Sequence, residues 1–127
     1  ELEKVADRYK YLADFVAANL EPNPHLKLSH DTLALLKETN EYLRTFYKLF
    51  YKFDASLAKR YNDERYLLIE KMDKVISKCS KRCKNKGSEK SAKDAVTAVN
   101  DVVIICYLKE IVQLIYEMHN PYYSMVL

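Results

Sequence analysis

A chain of 127 residues with one Gly, three Pro and 49% hydrophobic residues is long enough for one domain with its own core, and too apolar for disorder. Its formal net charge is only +3, so it is not a strongly polybasic chain, and its longest apolar run, Val102 to Leu108, falls far short of the ~20 residues of a spanning helix. The expectation is one helix-rich domain, 1–127, with no membrane insertion, processed or excised because it starts at Glu1.

The first predicted helix places Leu2, Val5, Ala6, Tyr9, Leu12, Ala13, Val16 and Leu20 on one face. Glu21-Pro22-Asn23-Pro24 ends it, because a residue before proline is pushed out of the α region. Ser29 is the predicted N-cap of a second helix, with Leu28 and Leu33 as a hydrophobic staple. Its apolar positions run Leu33, Leu36, Leu43, Phe46, Tyr47, Phe50, Phe53, Leu57 and Tyr61. Unbroken, that helix spans about 48 Å and outruns its neighbour, so a break is expected near Asp54, which can cap afresh. Asn62 and Asp63 offer another cap, followed by Leu68, Ile69, Met72, Val75, Ile76 and Cys79 on one face. Gly87 suits the turn of the next hairpin. Ser91 with Asp94 then predicts the start of a last helix, apolar almost all round over Val102–Leu108 and therefore central. Asn120-Pro121 is expected to stop it. The fold class is all-α: a compact antiparallel bundle of four main helices with one or two breaks.

The charge is unevenly placed. From Ser77 to Lys93 seven cations face Glu89 alone, a local +6 that leaves −3 for the remainder. Such a tip attracts anionic partners, with Lys81, Arg82, Lys84 and Lys86 as steering groups. The plainer reading, a solvated hairpin, comes ahead of partner recognition. Nucleic acid is disfavoured because the tip has no aromatic residue for base stacking.

Cys79 and Cys83 sit four apart with no histidine nearby, which suits neither a zinc site nor a C-x-x-C redox pair. If the helix end unwinds, a Cys79–Cys83 disulfide becomes possible. Cys106, about 22 Å along the last helix, is expected as a buried free thiol; pairing it with either other cysteine needs a loop that folds back. His25, His30 and His119 form no constellation, and nothing supplies a nucleophile with a positioned base, so neither enzyme nor cofactor is expected. Tyr42, Phe46, Tyr47, Phe50, Tyr51 and Phe53 form an aromatic belt too wide for one helix face. It is read as core packing, as an exposed patch with Tyr42 and Tyr51 as interface anchors, or as the wall of a ligand cavity. Tyr122 and Tyr123, in the apolar tail, are further candidate anchors.

The stretches "DRYKYLADFVAANL", "YNDERYLLIEKMDKVI", "CSKRCKNKGSEKSAKDAV" and "CYLKEIVQLIYEMHNPYY" together resemble the small helical salivary proteins of anopheline mosquitoes, the anophensin and albicin type. The resemblance implies a secreted helical inhibitor of host defence. Its implied targets are the alternative-pathway complement C3 convertase, held unproductive by non-covalent binding, or contact activation of coagulation. A monomer is expected. The odd cysteine count sits better with an intracellular interaction domain, and a carrier of a small hydrophobic ligand is a further alternative.

Overall fold

A computed structural model describes the backbone of residues 2–23, 27–83 and 89–126, and their side chains apart from 83, 89–92 and 119–126. Four helices follow one another: α1 (Leu2–Asn19), α2 (His30–Tyr51), α3 (Ala55–Cys83) and α4 (Glu89–Val126). Among the described residues there is no strand, and no helix is long and apolar enough to cross a membrane. Paired residues fix an antiparallel up-down-up-down order. Asp31 and Glu38 of α2 meet Lys78 and Lys71 of α3, Tyr61 of α3 meets Ile115 of α4, and Arg8 of α1 meets Glu110 of α4.

The ends of the helices are set by local chemistry. The Ser29 hydroxyl accepts the Thr32 N–H at 3.3 Å, the expected N-cap of α2. Past the Lys52 C-cap, the Asp54 carboxylate accepts the Leu57 N–H at 3.0 Å and starts α3, so the expected break is present. Asn62 and Asp63 do not make a second break. Ala58, Tyr61, Leu68, Met72 and Cys79 are all buried on one stripe, and only an uninterrupted helix keeps them in register. Two further expectations are corrected. The last helix starts at Glu89, before Ser91, and Asp94 pairs with Arg82 of α3. It also runs through Asn120-Pro121 to Val126, at the cost of the one backbone hydrogen bond that proline cannot donate.

α2 turns a different face inward from the one its leucines suggest. Thr32, Leu35, Thr39, Tyr42, Phe46 and Leu49 are buried, whereas Leu33 of the supposed staple is 41% exposed. Threonine is tolerated here because its hydroxyl is satisfied locally: Thr39 Oγ1 donates to the Leu35 carbonyl at 2.8 Å. Tyr42, expected as a surface anchor, is a core residue at 1% exposure, its ring stacked on Tyr61 at 4.5 Å between centroids. The stack belongs to one core with Met72, Ile104, Ile105, Leu108, Ile111, Val112 and Ile115.

α4 is central, as its apolar composition predicts. It packs against each of the other three helices, α3 packs on α2 as well, and α1 packs closely on α4 alone, reaching α2 through a 2.9 Å bond from Tyr9 Oη to Asn40 Oδ1.

The two stacked tyrosines differ in one atom's surroundings. Tyr61 Oη donates to the Ile115 carbonyl at 2.9 Å, whereas Tyr42 Oη is buried with no partner of hydrogen-bonding geometry among the described residues. Burial drives the Tyr42 phenol well above its ordinary pKa, opposed in part by the Tyr61 hydroxyl and the Arg65 charge. Urea unfolding of two variants should therefore give opposite signs: Tyr61→Phe loses about 1 kcal/mol, while Tyr42→Phe is neutral or gains up to about 1 kcal/mol.

Candidate functional site

Apart from Tyr42 in the core, the described residues picked out by sequence fall on opposite ends of the bundle. Lys81 and Arg82 close the last turn of α3, whereas Tyr51 ends α2 beside the start of α3. The last turns of α4, which carry the backbone of Tyr122 and Tyr123, lie at the Tyr51 end because Tyr61 stands against Ile115. A 29-residue α3 separates the two ends by about 43 Å. A standard interface of about 800 Å² per partner is roughly 30 Å across, so it covers one end and not both.

At the basic end Arg82 is engaged inside the molecule. Its guanidinium reaches Asp94 Oδ1 at 2.7 Å through Nη2 and Asp101 Oδ2 at 3.4 Å through Nη1. The hydrogen bond to Asp94 holds its pKa above the ordinary arginine value, against the opposing effect of burial. Asp101 is fully buried, and its other oxygen accepts the Ser29 N–H at 3.2 Å. One carboxylate thus ties the start of α2 and the end of α3 to α4. Arg82 is the counter-charge of that tie rather than a steering group. Lys81 is exposed, Lys78 lies 3.7 Å from Asp31, and Lys84 and Lys86 lie outside the described residues.

The cysteines depart from expectation. Cys79 is buried, α3 stays helical as far as Cys83, and no disulfide forms among the described residues. The Cys83 side chain lies outside the described residues. Cys106, expected to be buried, is exposed. With 100° between successive residues, an apolar run of seven visits every side of a helix, and one side of α4 has no neighbour. Arg8 of α1 reaches Glu110 from one flank and Arg65 of α3 reaches Gln113 from the other. Between them Val99, Cys106, Glu110 and Glu117 form an open stripe.

Beside that stripe, α3 and α4 enclose a surface groove of about 600 Å³ lined by Arg65, Tyr66, Ile69, Cys106, Lys109 and Gln113, among others. The Arg65 guanidinium lies 3.8 Å from the Tyr116 ring centroid and 4.9 Å from that of Tyr66, and Nη2 donates to Gln113 Oε1 at 3.0 Å. It is held in place before any partner arrives, while the Tyr66 ring is 65% exposed. Lys109 is anchored by Asp73 at 2.8 Å. Sequence reading missed this site. Its one signal was Tyr66-Leu67 beside Leu68, one apolar pair too many for a single buried stripe. Among the described residues no cluster of His, Cys, Asp and Glu could hold a metal ion.

Two measurements check this geometry. Arg82→Met strips the buried Asp101 of its counter-charge and should cost about 3 kcal/mol in chemical denaturation, against about 0.5 kcal/mol or less for Lys81→Met. In a Cys83→Ser background, a disulfide reagent should titrate Cys106 at once and Cys79 only on unfolding.

No family model matches this chain, and neither a curated protein nor a solved structure matches it.

Proposed function

We propose that this chain is a non-enzymatic inhibitor that works by occupying protein surface, with the alternative-pathway C3 convertase as its target. The target comes from the resemblance of its four stretches to anopheline salivary inhibitors. The observation that carries a surface mechanism is the α3–α4 groove. A pre-positioned arginine and an exposed tyrosine beside an apolar hollow are the residue types that dominate protein–protein hot spots. Carriage of a hydrophobic ligand inside the bundle fits less well, because the Tyr42–Tyr61 stack and the isoleucines of α4 fill that space.

A second reading draws on one observation. Cys106 stands as an exposed thiol, which suits a reducing compartment and an intracellular helical interaction domain.

Lysis of rabbit erythrocytes by human serum under alternative-pathway conditions tests the first reading, with classical-pathway and contact-activation assays alongside. The wild-type chain should block the alternative pathway selectively. Tyr66→Ala, and Cys106→Trp, which fills the groove, should each weaken inhibition about 30-fold or more, while Tyr42→Phe leaves it unchanged. Absence of inhibition by the wild type would overturn the target. Inhibition indifferent to both groove variants would move the contact elsewhere.

A further inference from the structure

The corner where α2 ends and α3 begins is a second surface, of different chemistry. Arg44, Tyr47, Lys48 and Tyr51 follow helical spacing and share the outward face of α2. Tyr47 is 41% exposed, Phe50 53%, Tyr51 82% and Phe53 36%. Between residues 44 and 60 five cations face the single carboxylate Asp54, a local +4. Asp54 is already occupied in capping α3, and the two arginines are paired, Arg44 with Glu41 at 2.8 Å and Arg60 with Glu64 at 3.6 Å. Lys48, Lys52 and Lys59 are exposed and make no ion pair among the described residues.

We propose that this corner docks on anionic phospholipid headgroups, with Tyr47 and Tyr51 seated at the headgroup boundary and Lys48, Lys52 and Lys59 facing the lipid charge. Charge complementarity fixes the sign of the partner, and the residue types fix its class. Protein interfaces are enriched in arginine and aromatics but depleted of lysine, and here every unpaired cation is a lysine. Exposed aromatics with lysines around them are the composition of interfacial membrane contacts, where the ring sits between acyl chain and water and each lysine adds attraction to an anionic leaflet. The corner is formed by two helix ends and the short connection between them, and the α3–α4 groove does not extend into it. This is contact with a membrane surface, not passage through it.

Vesicle co-sedimentation tests the proposal on the intact chain, comparing pure phosphatidylcholine with vesicles containing about 30% phosphatidylserine at about 100 mM salt. The wild-type chain should sediment with the anionic vesicles only. Changing Lys48, Lys52 and Lys59 to Gln should weaken partitioning about five-fold per lysine, on the order of 100-fold together. Lys81→Gln, at the other end of the bundle, should change nothing. The chain has no Trp, so Tyr51→Trp gives a lone reporter whose emission should shift to the blue on the anionic vesicles. Four results overturn the proposal: no binding to anionic vesicles, equal binding to neutral ones, binding that follows Lys81 instead of the corner lysines, or binding without a blue shift. Retention on heparin through the same lysines, with no vesicle binding, would assign the corner to sulfated glycans instead.

Discussion

α4 is apolar on nearly every side, and three shorter helices must cover it. At about 1.5 Å per residue, its 38 residues extend some 57 Å, while α1 with 18 residues covers about half of that length on one flank. α2 and α3 take the two remaining buried sides, and the stripe through Val99, Cys106, Glu110 and Glu117 is left to water. The groove, the exposed thiol and the ion pairs at both rims all follow from that deficit. Glu110 and Lys109 lie at the edge of the covered region, where charged heads can stay wet while their stems pack.

A helix so apolar has little in its own pattern to fix its rotation or register against its neighbours. The polar groups inside do that. Asp101 can accept from Ser29 only if the start of α2 arrives at that level of α4, and from Arg82 only if the last turn of α3 does too. At the other end Tyr61 Oη reaches the Ile115 carbonyl. These two points, fourteen residues apart along α4, pin α3 in register. A slip by one turn would bury the Asp101 charge without its partners, an error that costs more than any single surface pair here contributes.

Much of the fold was legible in the sequence, because helix ends leave chemical marks. Ser29 and Asp54 cap as read, and the break between α2 and α3 follows from the length a neighbour can cover. The failures have one origin. Propensity and capping are local, whereas the face a helix buries is decided by its partners. Leu33 looked internal, yet Thr39 is the buried one: a threonine whose hydroxyl is bonded to its own helix presents a methyl group to the core. Asn62-Asp63 had the right side chains for a cap, but the stripe from Ala58 to Cys79 rewards continuity. The site was less legible still. Arg82 and Tyr42 were singled out by charge and by aromatic density, which report composition. Their roles depend on Asp101 and Tyr61, residues brought near only by folding. Of the groove only the surplus apolar pair Tyr66-Leu67 left a mark, and Arg65 left none, since a preformed groove has no local pattern.

The two exposed surfaces then divide by the physics of their cations. A guanidinium stacked on a ring and held by an amide has lost its freedom before binding, so a partner's carboxylate meets a fixed fork. That is the state of Arg65 between Tyr66, Tyr116 and Gln113. Lysines on flexible stems give up that specificity and suit a partner whose charges are mobile. A fluid headgroup layer would rearrange to meet Lys48, Lys52 and Lys59 more readily than a folded protein surface. The surfaces draw on different elements, the groove on α3 and α4 and the corner on the α2–α3 connection, so occupying one leaves the other accessible. Protein contact through the groove and lipid contact through the corner are therefore compatible in a single bound state, and each is open to change by substitution without disturbing the other.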